Sequence, residues 1–304
     1  MAEIVLHHYP LSLFAEKIRR VLAYKKIAWR AVEQPMMAPK PQLTPLTGGY
    51  RRIPVLQIGA DVYCDTACIA RRLEGLKPEP ACFPRGQSGV AELIEEWADH
   101  RFTFQLIPSV IVDMLPVLPP DILVDRAAMS PALSKEAIVN AAPHALGQAL
   151  LALDRLEGQL RDRRFLLGDT FSIADAACFH PLWFLKNSPK LFEDVLGARP
   201  ALAAWVARIE GFGPGDVQPM NATEALAIAR ESQPTDVAGG KPMTMEGFAP
   251  GDAVKITADD YGLEASDGTI VRWGADEITI RRQDPALGEI AVHFPRSGYR
   301  IQKQ

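Results

Sequence analysis

The sequence has few cysteines, no surplus of positive charge and no long apolar run, and each shortage excludes a class of function. Four cysteines, at positions 64, 68, 82 and 178, make neither a CxxC pair nor a disulfide framework. A reducing cytoplasm is the expected setting. Lysine and arginine number 33 against 37 aspartates and glutamates, a net charge of −4, which gives no support for nucleic-acid binding. No apolar run reaches membrane-spanning length, and the first ten residues lack the shape of a signal peptide. The composition is globular, 48% hydrophobic and 23% charged, over 304 residues, long enough for two or three domains.

Ile4-Val5-Leu6 reads as a strand, and a helix is predicted from about Ser12, with Phe14, Ile18, Val21 and Leu22 on one buried stripe. Ala28 to Glu33 reads as a second strand. Pro35 to Tyr50 is rich in proline, glycine and threonine, which predicts loop with at most a short helix. The stretch that organises the rest is Arg51 to Glu74, RRIPVLQIGADVYCDTACIARRLE. Val55 to Ile58 and Val62 to Cys64 flank a Gly59-Ala60-Asp61 turn, a tight hairpin. Asp65 and Thr66 are helix-capping types, Ile69, Ala70 and Leu73 recur at helical spacing, and Gly75 suits the helix end. Pro54 opens the first strand, where it costs no ladder hydrogen bond, and on frequency alone the Ile53–Pro54 bond is expected to be trans.

A strand-opening proline, a hairpin, then an acid-hydroxyl pair at a helix start resembles the thioredoxin-like half of cytosolic glutathione transferases. The resemblance implies a cis Ile53–Pro54 bond, with Ile53 pairing through its backbone to the cysteinyl part of glutathione. It also implies that Asp65-Thr66 hold the γ-glutamyl end. The family more often carries Glu-Ser at that pair.

Lys77 to Gly89 reads as a linker. Val90, Leu93, Ile94, Trp97 and Phe104 then make a long amphipathic helix, and Pro108 and the Pro116 to Pro120 cluster are expected to break the next stretch into short helices. Leu146 to Leu160 forms the next clear stripe. Ser172-Ile173-Ala174-Asp175 is a capping box with Asp for the usual Glu, preceded by Phe171. Glutathione transferases carry such a box inside their helical domain, where it serves folding and not chemistry. Asn221 with Glu224 caps a last helix to about Glu231, and Ser232 to Pro242 reads as a flexible linker.

Beyond it, glycines punctuate short alternating runs such as Ile278-Ile280 and Ile290-Val292-Phe294. Roughly five strands predict a small antiparallel barrel or SH3-like module, which most glutathione transferases lack. The fold class expected is α+β and multidomain. A thioredoxin-like domain is expected at 1–77, an all-helical domain at 86–231 and the β module at 246–304, with the resemblance covering roughly residues 1–230.

Glutathione chemistry needs the thiolate, and a free thiol titrates near pH 8.5. A hydroxyl donor and the positive end of a helix lower that value. Ser12 stands where the first helix begins, and its simplest role is an N-cap. SLFAEKIR resembles the Ser-Pro-Phe-x-x-Lys-x-Arg pattern of the Ser-type classes, with Leu13 replacing proline, which implies that Ser12 donates to the glutathione sulfur. Tyr9 is the alternative donor. Phe14 and Pro54 line the tripeptide in this reading. Lys40, Arg51 and Arg52 lie where its glycyl carboxylate would meet a cation, or else form a solvated loop face. An electrophile pocket of Leu13, Trp97, Arg101 and Phe104 is implied by the family, although a core stripe also explains Trp97. No cysteine stands at the Ser12 turn, which argues against thiol-disulfide chemistry, and Cys64 reads as a small buried hydrophobe. His7 and His8 point to opposite faces of a strand, so no metal is expected.

The sequence thus resembles a cytoplasmic glutathione S-transferase. Glutathione is its expected co-substrate, a small hydrophobic electrophile its partner, and a homodimer its expected assembly, with no membrane or nucleic acid. Two alternatives stand beside it. One is a non-catalytic scaffold with the tail as interaction module, for which Leu13 and Gly48-Gly49 leave room. The other is a glutathione-dependent isomerase or dehalogenase. A side chain lodged beside the 65–66 corner would leave the architecture without the enzyme.

Overall fold

The computed structural model describes residues 3–236 and 247–304. The chain opens with β1 (Val5–His8), α1 (Leu13–Lys25), β2 (Trp29–Glu33), α2 (Thr44–Thr47), β3 (Val55–Ile58), β4 (Asp61–Cys64) and α3 (Thr66–Leu76). Next come α4 (Ser88–Trp97), α5 (Thr103–Met114), α6 (Pro120–Met129), α7 (Lys135–Leu160), α8 (Ile173–Leu185), α9 (Pro189–Gly197) and α10 (Pro200–Glu210). After β5 (Val217–Pro219) and α11 (Ala222–Glu231) stand β6 (Ala253–Ala258), β7 (Ser266–Trp273), β8 (Glu277–Asp284), β9 (Gly288–Pro295) and β10 (Tyr299–Lys303). The expected linker at 232–242 and the expected module start at 246 fall partly outside the described residues.

The chain divides into two compact units, one of Met1–Ala15, Ala28–Arg72 and Val217–Gln304, the other of Glu16–Ile27 and Leu73–Asp216. In the first unit the hairpin and the β1/β2 pair form the expected thioredoxin-like sheet, with β1 parallel to β2 and antiparallel to β3. The tail strands β6 to β9 pair antiparallel in sequence order, and β10 returns to pair antiparallel with β6. The tail does not stand apart, however. β9 pairs in parallel with β4, placing Val62 opposite Val292 and Tyr63 opposite His293, so one sheet runs β10-β6-β7-β8-β9-β4-β3-β1-β2-β5. The physical reason is that the outer edge of β4 carries backbone groups that need partners, which β9 supplies.

Packing follows the sheet. Leu43, Leu46, Val55 and Val62 share one buried apolar cluster with Val254, Ile280, Val292 and Phe294 of the tail. A polar seam fastens the same junction. His293 sits between two carboxylates, Nε2 3.2 Å from Asp61 and Nδ1 3.1 Å from Glu277. Its ring stacks on Tyr63 at 4.2 Å. Burial opposes charge on this imidazole, but hydrogen bonds to Asp61 and Glu277 outweigh it and raise its pKa. Asp61 also accepts from the backbone N–H and hydroxyl of Thr235, at 3.0 and 2.6 Å. Two further elements join this sheet unit where a helical domain to 231 was expected. β5 pairs with β2, and α11 carries the expected Asn221/Glu224 capping box.

The second unit is helical. Pro108, Pro143 and Pro181 all lie inside helices, where the sequence predicted interruption at Pro108. A π-helical turn over Ala98–Phe102 joins α4 to α5. A proline removes one intrahelical bond, and buried neighbours such as Leu106 and Val110 compensate by packing. The Ser172/Asp175 box is formed as expected at the start of α8. Asp175 accepts from Leu166 N–H at 2.8 Å, Ser172 N–H at 2.9 Å, the Ser172 hydroxyl at 2.7 Å and Trp205 Nε1 at 2.9 Å.

Candidate functional site

The β3–β4–α3 corner is built by local chemistry. The Ile53–Pro54 bond is cis, as the resemblance implied and frequency alone did not. Two strands later the chain must turn sharply into α3, and Asp65 takes the left-handed conformation at φ 76° to do so. Aspartate tolerates that region better than most side chains. Its Oδ1 accepts from Ala67 N–H at 2.9 Å, which caps α3. Thr66 comes next, buried. The helix runs through Gly75 to Leu76, one residue beyond the expected stop. Burial pushes the thiols of Cys64 and Cys68 well up, so both stay protonated and behave as packing residues.

The β1–α1 turn carries the candidate thiolate donors. Ser12 is buried, and its Oγ accepts from Ala15 N–H at 3.2 Å, the geometry of an N-cap. Its own N–H donates to the Tyr9 carbonyl at 3.1 Å. An N-cap uses the oxygen lone pairs, so capping and donation by the hydroxyl are compatible. Tyr9 is half-buried, and Leu13 and Phe14 open α1 half-buried. Lys40 is buried, donates to the Pro35 carbonyl and lies 5.8 Å from the Tyr9 ring. Of the expected electrophile-pocket side chains, Leu13 belongs to the first unit. The others belong to the second: Trp97 at the end of α4, stacked on Phe102 at 5.3 Å, Arg101 exposed in the π turn, and Phe104 half-buried in α5.

His7 lies in β1 with both ring nitrogens taken by amides, Nε2 by Gln57 at 2.8 Å and Nδ1 by Gln34 at 3.1 Å. Burial lowers its pKa to about 4. Among the described residues no group of three or more His, Cys, Asp or Glu is placed to hold a metal ion.

Sequence reasoning missed the contribution of the tail. The Tyr299 hydroxyl donates to Asp65 Oδ2 at 3.1 Å. Burial, reinforced by the charge of Asp65, raises the phenols of Tyr299 and Tyr50 well above their usual range, so both remain donors. Their rings pack with Phe294, at 5.3 Å from Tyr299 and 5.9 Å from Tyr50. Just upstream, Gly48 and Gly49 have φ of 78° and 149°. A Cβ on Gly49 would stand 2.2 Å from the Ala265 carbonyl oxygen, and one on Gly48 would stand 2.7 Å from Arg282 Nε. The two glycines that depart from the family pattern are therefore places where the tail comes close. Ser266 donates to the Thr47 carbonyl at 2.7 Å, and Arg282 to that of Pro45. Arg51 pairs with Glu264 at 3.3 Å, and Arg52 pairs with Asp260. The signal available in the sequence was charge complementarity, Arg51-Arg52 against the acidic stretch from Asp259 to Glu264.

Residues 6–81 match the family description "Glutathione S-transferase, N-terminal domain", and residues 135–208 match "Glutathione S-transferase, C-terminal domain". No curated protein matches the chain. Among solved structures, a GST-like protein from Pseudomonas syringae is 37% identical at a TM-score of 0.84, each chain covering all of the other, so the alignment takes in the tail. A glutathione S-transferase III in apo form is 22% identical at 0.53, over 77% of this chain and 100% of its own. FzlA from C. crescentus is 21% identical at 0.55, over 74% and 92%. These last two share the fold. No helix among the described residues is long and apolar enough to cross a membrane. The 37% identity with the Pseudomonas protein over the whole length, together with both domain matches, makes this chain a member of the glutathione S-transferase family.

Proposed function

We propose that the chain is a glutathione transferase that activates the thiol of glutathione for attack on a small hydrophobic electrophile. Ser12 is the thiolate donor, with Tyr9 the alternative, and Ile53 aligns the cysteinyl backbone. Asp65 and Thr66 hold the γ-glutamyl end, with Phe14 and Pro54 beside the tripeptide and Leu13 toward the electrophile. The observation that carries the reading is Asp65. Its left-handed backbone makes the turn, its Oδ1 caps the helix, and its second carboxylate oxygen accepts from the Tyr299 hydroxyl. A carboxylate so held suits an ammonium ligand.

In the reaction the thiol proton leaves to solvent, the sulfur forms a bond to the electrophilic carbon, and the leaving group departs with its electron pair. A Ser12 hydroxyl donating to the sulfur at a helix N-terminus stabilises the anion. Ser12→Ala is expected to slow conjugation of an aryl halide by about 10²-fold, the scale of losing one such donor. Tyr9→Phe is expected to change it by less than about 3-fold, a difference of under 1 kcal/mol in barrier. An unchanged rate in Ser12→Ala, with the fold intact by circular dichroism, removes Ser12 from the mechanism. The same reading takes the protein as a cytoplasmic homodimer, which sedimentation of the purified chain tests for assembly.

A second reading, a non-catalytic scaffold, is favoured by the contact of Tyr299 with Asp65, since the tail already meets the corner that would hold the ligand. Retention on immobilised glutathione separates the two. Retained protein supports the transferase, and protein in the flow-through supports the scaffold.

A further inference from the structure

The Asp65 carboxylate is held from two directions within the first unit. Oδ1 accepts from Ala67 N–H at 2.9 Å, on the side of α3. Oδ2 accepts from the Tyr299 hydroxyl at 3.1 Å, from β10 of the tail. One bond leaves a carboxylate able to rock about its broad terminal torsion, and a second bond to the other oxygen fixes its plane. Tyr299 itself has little freedom. The β10–β6 pairing sets its backbone opposite Ala258, and its ring packs against Phe294 at 5.3 Å and Tyr50 at 6.4 Å. The Tyr50 and Tyr299 phenols are also hydrogen-bonded to each other. A phenol has one proton to give. With that of Tyr299 on Asp65, the Tyr50 proton closes a chain that runs Tyr50, Tyr299, Asp65.

A neutral donor at this place has two consequences. It leaves the aspartate its charge, which an arginine or lysine partner would cancel. Neither oxygen of Asp65 meets a cation among the described residues. Arg52, whose charge reaches both tyrosines, is paired with Asp260. The phenol also takes only part of the acceptor. Two carboxylate oxygens offer about four lone-pair sites, and the Ala67 and Tyr299 bonds use one on each. Asp65 is half-buried and so not sealed from solvent. A charged acceptor whose orientation is locked by a packed second residue is the arrangement that binding sites use to hold geometry.

We infer that Tyr299 is a positioning residue for ligand binding: carried by the tail, it orients the Asp65 carboxylate to receive the ammonium of a γ-glutamyl group, so that the tail completes the glutathione site. The inference rests on the glutathione reading of the Asp65 corner and deepens it. It assigns the contact from the tail to binding and not to obstruction.

Isothermal titration calorimetry of the full chain tests this with two probes, glutathione and N-glutaryl-cysteinylglycine, which lacks only the amino group. The wild type is expected to bind glutathione about 10-fold more tightly, the scale of one charge-assisted bond. Tyr299→Phe keeps the ring and removes the hydroxyl. It is expected to weaken glutathione by about 5- to 10-fold, the scale of one hydrogen bond, and to leave the desamino probe within about 2-fold. On an Asp65→Asn background the same substitution is expected to change glutathione affinity by less than about 2-fold, because the two residues act as one unit. An equal loss for both probes in Tyr299→Phe marks a purely structural role and overturns the inference. So does unchanged or tighter binding of glutathione, which would make the phenol a bystander or a competitor. Equal affinities of the two probes in the wild type overturn it without any variant, while glutathione binding stands. Binding of neither probe at millimolar concentration to the wild type overturns the glutathione reading and this inference with it.

Discussion

Asp65 ahead of α3 and Asp175 in the first turn of α8 both stand at helix starts, and their surroundings differ. Asp175 is buried and takes four donors, all from neighbours that belong to the fold. Burial still lifts its carboxyl above the usual carboxylate range against the pull of those four bonds. Asp65 is half-buried, holds a left-handed backbone, and commits one oxygen to its helix while the other meets a hydroxyl from the distant tail. The same side chain at a helix start serves folding where four donors from the fold converge on it. Under the proposed function it serves recognition where one oxygen meets only a single hydroxyl from the tail. Coordination, more than residue type, separates the two roles.

Four substitutions bear on that comparison, and the largest effect is expected at the saturated site. Asp175→Ala leaves four donors without their acceptor in a dry interior and is expected to cost about 3–5 kcal/mol. Urea unfolding measures it, and a loss below about 1 kcal/mol would mean that the network is dispensable. Gly49→Ala comes next. It places a methyl against the Ala265 carbonyl and a side chain at φ 149°, so about 2–3 kcal/mol is expected from the same measurement. A shift within error would show that the tail yields easily.

The pH dependence is smaller. His293 has a raised pKa in the folded chain, so its contribution is fully present below the unfolded value of 6.5 and is lost as pH rises through the folded value. Thermal stability is therefore expected to fall from about pH 6.5 upward, and His293→Gln to flatten that slope. An identical slope in the variant would place the titration elsewhere. Asp65→Asn is expected to change stability least, by under about 1 kcal/mol, because asparagine tolerates the left-handed region and still caps with its carbonyl oxygen. Its glutathione affinity is expected to fall by about 10-fold, the scale of one lost charge-assisted bond. Stability lost in step with affinity would put Asp65 in the same role as Asp175.

The elements of the first 76 residues were legible because each carries a local signature: alternation in β3 and β4, capping types at Asp65, apolar spacing in α1. Both capping boxes, at Ser172 and Asn221, were legible for the same reason. The helical passage through Pro108 was not, since a proline's local penalty is visible in a sequence and the packing that offsets it is not. Nor was the fusion of tail and sheet. Val62 and Val292 read equally well as strand residues whether or not they face each other. At the candidate site, Ser12, Ile53, Asp65 and Thr66 were named from motif order. Tyr299 meets Asp65 from 234 positions away, far outside any local window.

That pairing has a consequence during synthesis. Asp61 and its partner Ala291 are 230 positions apart (291 − 61), so β4 leaves the ribosome long before the strand that flanks it. At about 5–20 residues per second the wait is roughly 12–45 s. Throughout it the nascent hairpin displays an open flank, the kind of surface that recruits stray strands. A chain cut off before β9 is made would carry the hairpin and the helical unit with one side unguarded.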